Sequence, residues 1–410
     1  MHLYDIPLLF ALIGLTLYTV LAGADFGAGF WQLLTGSGSR GERIRDHAHD
    51  SMAPVWEANH VWLIFVITVV WTAYPAAFGS IASTLSIPLF IAAIGIILRG
   101  AAYALRAGTS TPGDRSKNGR RAIDTVFAIS SIITPFALGA MIGGIASRRV
   151  PVGNAAGNLF SSWLNPTSIL VGVLAVGTSA YLAAVYLAAD AVRLHDADLE
   201  RRFRVRALSA GVIAGAIALA GIAVLHSDTH TLYRRLLDSD ALVALVLSLV
   251  AGSATLVLVW RSRFEAARYT AALAVAAIIA GWALAQNPTL LPGLTIQQAA
   301  APHDTLVAVI VAVIAGAMIL FPSLALLFRL LLRGQLDHTH TQPAPVPPAP
   351  LSTSAPGLLG RLAAACMLAG LGFLTIANAG WAHAIGVLAL AGFVVCGFAA
   401  AVPSLLSERP

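Results

Sequence analysis

Two carboxylates stand in this sequence where an acid is costly to keep. Asp25 falls late in a long apolar run, within Gly23-Ala24-Asp25-Phe26-Gly27-Ala28-Gly29, and Glu57 opens the next, within Pro54-Val55-Trp56-Glu57-Ala58-Asn59-His60-Val61-Trp62. An ionisable side chain at the centre of a bilayer costs about 2.5–3.5 kcal/mol on insertion scales, so its presence asks for a reason. A negative charge near a helix C-terminus opposes the helix dipole, which argues against a capping role for Asp25. Gly23 and Gly27, four apart, allow a second helix to come close on that face. Two readings of Asp25 follow: an interfacial acid paired with arginine on the next loop, or a carboxylate buried at a helix contact. Glu57 and His60 are three apart and share a helical face, as do Trp56 and Asn59. A carboxylate beside an imidazole at the mouth of an apolar bundle suits proton uptake. The plainer reading is a helix-start glutamate complementing the dipole. His60 itself is either a haem ligand or a packed, hydrogen-bonded imidazole.

The elements that position these residues are apolar throughout. Of 410 residues, 58% are hydrophobic and 11% charged, with a mean hydropathy of +0.81, against about 25% charged in a soluble domain. Uncharged runs of about 18 residues or more, the length needed to cross a hydrocarbon core, recur along the chain. They do not alternate as barrel strands would. The runs are 6–33, 54–78, 80–105, 122–146, 167–192, 207–226, 240–260, 269–286, 304–332, 358–376 and 384–402. The fold class expected is therefore an all-α polytopic membrane protein crossing the bilayer about eleven times. Ala22-Gly23-Ala24 resembles a signal-peptidase site, but residues 1–7 hold no Lys or Arg, so the first run is read as a membrane helix.

Charge sets the orientation. With the N-terminus outside, twenty Lys and Arg fall in inner segments and four in outer ones (Arg148, Arg149, Arg234 and Arg235), leaving Arg99 within a helix. The positive-inside rule then places the N-terminus outside and the C-terminus in the cytoplasm. The net charge of +6 lies in short loops between apolar runs, a pattern that fits anionic lipid and excludes nucleic acid as the partner. Cys366 and Cys396 both sit inside apolar runs and read as inert core thiols. Residues 334–357, rich in proline, read as a cytoplasmic linker between a body, 1–333, and a C-terminal hairpin, 358–410. His338 and His340 within it could bind a metal, though a solvated tail explains them.

The segment from Asp50 through Pro54, Trp56, Glu57, Asn59, His60 and Trp62 to Tyr74-Pro75 resembles the signature of subunit II of cytochrome bd-type quinol oxidases. Asp25-Phe26-Gly27-Ala28-Gly29 is similar to that family's first-helix motif, and Leu98-Arg99-Gly100-Ala101-Ala102-Tyr103 to the end of its third helix. Asn165-Pro166 and the stretch from Leu291-Pro292-Gly293 to Thr305-Leu306 continue the likeness, which covers about residues 1–333. The resemblance implies two four-helix bundles plus one further helix. It also implies a haem-free subunit that pairs with a haem-bearing subunit I. Haem b, haem d and the quinol-oxidising loop would then belong to the partner, and this chain would bind no cofactor alone, apart from a bound quinone known in some members. Asp25 and Glu57 match the family's proton path, with His60 beside them, while Trp56, Asn59, Trp62 and Arg99 frame it. A small accessory subunit and quinol complete the implied partners, and the bacterial cytoplasmic membrane is the implied location.

Three departures stand out. Ala104 occupies a position often acidic, Leu182-Ala183 replaces a polar His-Gly pair, and the hairpin 358–402 has no counterpart. The competing class is a secondary transporter, whose site should lie on helices broken in two repeats. Pro135 and Pro322 interrupt two runs, but neither has a polar cluster beside it in sequence.

Overall fold

The computed structural model describes residues 2–35, 38–52, 56–107, 117–332, 357–375 and 380–407; several side chains within these ranges, including those of Glu57 and His383, lie outside the described set. The helices are α1 (Ile6–Leu33), α2 (Ser39–Met52), α3 (Trp56–Ala73), α4 (Pro75–Thr84), α5 (Ser86–Ala107), α6 (Lys117–Ala146), α7 (Pro166–Arg193), α8 (Ala197–Asp228), α9 (His230–Leu236), α10 (Ser239–Trp260), α11 (Phe264–Gln286), α12 (Ile296–Ala299), α13 (His303–Leu332), α14 (Leu358–Thr375) and α15 (Gly380–Ser407). A two-stranded hairpin, β1 (Thr289–Leu291) with β2 (Leu294–Thr295), precedes α12.

Among the described residues, eight helices are long and apolar enough to cross a membrane, and three shorter apolar helices match the remaining predicted runs. The all-α polytopic expectation holds. One set, α1, α3, α5 and α6, packs together, as does a second, α7, α8, α10 and α11; α1 and α6 join the sets by packing on α7. Leu182 and Ala183, where the resemblance expects a polar pair, are fully buried in the core that α1 and α7 share.

Two local boundaries differ from the sequence reading. The predicted runs 54–78 and 80–105 resolve into α3, α4 and α5, because Tyr74 leaves helical geometry (φ −137°, ψ 60°) ahead of Pro75, which starts α4. Proline fixes φ and suits a first helical turn, so the chain breaks there and resumes. The segment 39–52, read as an inner loop, is helix α2. Ile44, Ala48 and Met52 recur every four residues on its buried face, and Arg43, Arg45 and Asp46 lie off it.

The chain forms two compact units, Met1–Ala325 and Leu326–Pro410. In the second, α14 packs on α15: a Cβ at Gly370 would meet the Leu390 side chain at 2.6 Å, and one at Gly392 the Cys366 sulfur at 3.3 Å. The Pro-rich linker, with His338 and His340, lies outside the described residues.

Candidate functional site

Asp25 is completely buried, and its partner is on another membrane helix rather than on a loop. Arg99 of α5 meets the carboxylate with two prongs: Nε donates to one oxygen at 3.1 Å and Nη2 to the other at 2.5 Å. Nη2 also donates to the Asp25 main-chain carbonyl at 2.6 Å, and the Tyr103 hydroxyl donates to the carboxylate at 2.7 Å. The remaining nitrogen, Nη1, donates to the Ser131 hydroxyl of α6, which itself donates to the Phe127 carbonyl at 2.6 Å. The guanidinium lies over three aromatic rings, at 4.1 Å from the centroid of Phe127, 5.1 Å from Phe26 and 5.4 Å from Tyr103. Neither charged side chain has any exposure.

The sequence builds this locally through four-residue spacings. Arg99 and Tyr103 share one face of α5, Phe127 and Ser131 one face of α6, and Asp25 and Gly29 one face of α1. Gly29 is required by the approach: a Cβ there would overlap the Ser131 side chain. Bidentate, charge-assisted hydrogen bonds are the strong kind, and pairing offsets the cost of holding either charge in apolar surroundings.

Helix α3 supplies the rest of the predicted set. Trp56 stacks on Tyr103, centroids 5.0 Å apart with planes at 11°. Asn59 is buried and donates from Nδ2 to the Leu21 carbonyl at 3.3 Å, tying α3 to α1. Trp62 packs against the cluster of Tyr18, Ala22 and Phe26. His60 is half-buried; its Nδ1 donates to the Trp56 carbonyl at 2.8 Å. A carbonyl can only accept, so Nδ1 carries a proton. His49 of α2 lies 5.2 Å from the Tyr103 ring. The structure thus gathers Asp25, Arg99, Trp56, Asn59, His60 and Trp62 at one end of the first helix set. The side chain of Glu57, one residue along α3 from Trp56, is outside the described residues. Sequence reasoning quoted Tyr103 in the third-helix motif without giving it a role, although it stands four residues after a lone helical arginine, and it missed Ser131 and Phe127.

A haem does not fit this site. Nε2 of His60 is enclosed within the chain, and the rings of Tyr18, Phe26 and Trp56 lie 6.0–6.1 Å from the imidazole. Among the described residues, no group of three His, Cys, Asp or Glu could hold a metal ion.

A second ion pair closes the other end of the body. Asp228, at the end of α8, takes both terminal nitrogens of Arg149 at 2.7 and 2.9 Å and also the Thr167 hydroxyl at 2.6 Å. The hydrogen bonds to Asp228 raise the Arg149 guanidinium above its ordinary range.

A family profile described as cytochrome bd terminal oxidase subunit II matches residues 3–331. The chain belongs to that family. The Escherichia coli K12 cytochrome bd-I ubiquinol oxidase subunit 2 is 26% identical over 240 residues, 56% of this chain and 60% of that one. A Bacillus subtilis cytochrome bd ubiquinol oxidase subunit 2 is 30% identical over 156 residues, 37% of this chain and 43% of that one. The matched stretches therefore span less than two thirds of these relatives. Among solved structures, the bd oxidase from Geobacillus thermodenitrificans aligns with a TM-score of 0.64 at 26% identity, covering 81% of this chain and 99% of the matched one. With the family known, the chain is a multi-pass membrane protein of the bd-oxidase class, and the secondary-transporter reading is not favoured.

Proposed function

We propose that this chain is the haem-free subunit II of a cytochrome bd-type quinol:oxygen oxidoreductase in a bacterial cytoplasmic membrane, N-terminus outside. It pairs with a haem-bearing subunit I, which holds haem b, haem d and the quinol site, and it contributes a proton path from the cytoplasm. The observation that carries this reading is the buried Asp25–Arg99–Tyr103–Ser131 network, a polar route through three helices of the family-matched body. Glu57 stands at the start of α3, next to Trp56, which stacks on Tyr103. Protons enter at Glu57 and are handed toward Asp25, with His60 between α3 and α1. Asp25, paired with Arg99, keeps the route polar without a net charge in the bilayer. The Arg-rich segments, α2 among them, fall on this same side, the side from which an oxidase draws protons.

Glu57→Gln in the purified two-subunit complex tests it. Slowed oxygen consumption and slowed proton uptake with unchanged haem content support the path. Unchanged turnover and charge movement reduce Glu57 to a helix-start residue. A stoichiometric Soret band on the chain purified alone overturns the haem-free assignment.

A further inference from the structure

An open cleft lies between the last turn of α7 and the turn that joins α10 to α11, and no residue of the proposed proton path lines it. It holds about 310 Å³, within the range of small-molecule sites, about 300–1,000 Å³. Ala189, Val192, Phe264 and Ala266 form its apolar walls, and the exposed residues Ser262, Arg263 and Glu265 its polar mouth. The turn is sharp: Ser262 takes a left-handed conformation (φ 55°), and the Arg263 amide reaches back to the Leu258 carbonyl at 2.8 Å. No side chain caps α11, so its first amides, which belong to residues of the cleft, lack an acceptor. The arginines at this level fall into two groups. Arg268 meets Asp190 at 2.5 Å, and Arg193 meets Glu265 at 2.8 Å. Arg261 and Arg263 are exposed and have no anionic partner among the described residues. Both carboxylates are thus already neutralised, and two positive charges are left over. Trp260 and Tyr269, 63% and 76% exposed, flank the turn, and exposed aromatic residues at helix ends mark the headgroup level of a membrane. From the cleft toward the middle of the bilayer, Ala266, Tyr269 and Leu273 follow one exposed face of α11.

We propose that this cleft seats the phosphodiester headgroup of an anionic glycerophospholipid of the phosphatidylglycerol kind. Basic pockets between membrane helices on the Arg-rich side are suited to such headgroups. The Arg263 guanidinium meets the phosphate, with the free amides of α11 behind it, since both groups favour an anion with several acceptor oxygens. The apolar walls take the glycerol backbone and the first methylenes, and the exposed face of α11 takes the acyl chains. A free anion makes no use of those walls. A zwitterionic lipid brings its own cation to a place that already holds two unpaired ones. The site needs only that the chain spans a membrane, and it stands whether or not the proton path does.

The test uses the assembled oxidase, delipidated in detergent and titrated in native mass spectrometry with dioleoylphosphatidylglycerol, dioleoylphosphatidylcholine or inorganic phosphate. Phosphatidylglycerol should bind most tightly. Arg263→Gln should weaken one bound phosphatidylglycerol about fivefold, the equivalent of the roughly 1 kcal/mol that one arginine contributes near an anionic lipid surface. Val192→Trp, which fills the cleft without changing charge, should weaken the same lipid. Arg201→Gln, an equal loss of charge at an exposed position of α8, should leave it unchanged. Unchanged affinity in Arg263→Gln overturns the site. Equal weakening by Arg201→Gln would show diffuse attraction to the surface and overturns it too. So would equally tight binding of phosphatidylcholine or of inorganic phosphate, or a cryo-EM map of the complex in which the partner subunit fills the cleft.

Discussion

Gly27 of α1 and Ser179 of α7 touch backbone to backbone: a Cβ on Gly27 would overlap the Ser179 carbonyl and press on the Ala183 methyl, 2.7 Å away. This contact is where the two four-helix sets meet, and it lies two residues from Asp25. Gly27→Ala should therefore push α1 off α7. Overpacking of this kind costs about 1–3 kcal/mol, read as a lower melting temperature of the detergent-solubilised complex. Gly215 of α8 has open space around its Cβ direction, so Gly215→Ala should leave stability unchanged or slightly raised. Equal effects at the two positions would remove the close-approach argument.

The Asp25–Arg99 pair predicts strong non-additivity. Asp25→Asn leaves a buried guanidinium uncompensated, and Arg99→Met leaves a buried carboxylate. Breaking a buried pair from one side costs about 3–5 kcal/mol. Each single variant should give little assembled complex, while the double variant, with neither charge, should recover most of the yield and thermal stability. A double variant as poor as the singles would show that the hydrogen bonds to Tyr103 and Ser131, not the charges, hold the three helices.

Acid stability should report on Asp196. Its carboxylate accepts the Leu199 amide at 3.1 Å and the Asp198 amide at 3.2 Å as the N-cap of α8, and it pairs with Arg43 at 2.5 Å. The Leu199 amide is the main cause holding this carboxyl below its ordinary value, with Arg43 adding to it. A depressed folded value means the contribution is present above the unfolded value, about 3.9, and is lost as pH falls below it through the folded value. Asp196→Asn keeps the cap, since Asn serves there as well as Asp, but removes the titration. Melting curves across that acid range should show a shallower loss in the variant; parallel loss would assign the acid transition elsewhere.

The C-terminal hairpin should be dispensable for chemistry. The family match ends at residue 331, and Gly370 and Gly392 face Leu390 and Cys366 across the α14–α15 contact. Truncation after Leu336 should give a complex with full haem content and oxygen consumption but lower yield. Loss of haem d from a truncated complex that still assembles would give the hairpin a role at the active core.

The apolar runs were legible because membrane helices carry their length and composition in plain view. Helix α2 was hidden because a count of arginines treats Arg40, Arg43 and Arg45 as loop charge; the spacing of Ile44, Ala48 and Met52 was the signal that mattered. Asp25 and Arg99 each stood out as a charge in an apolar run, yet their union could not be read, since 74 residues separate them and no local pattern encodes a contact between helices. Tyr18 carried no mark at all: a tyrosine in an apolar run looks like packing until its hydroxyl is found enclosed.

The same separation bears on how the protein is made. Asp25 enters the membrane on α1, and its partner arrives on α5 only after 74 further residues have been synthesised. Until then the first helix carries an acid whose entry into lipid costs about 2.5–3.5 kcal/mol. Only when α5 has been made can Arg99 offset that cost, so the first helix depends on the fifth for its comfort in the bilayer.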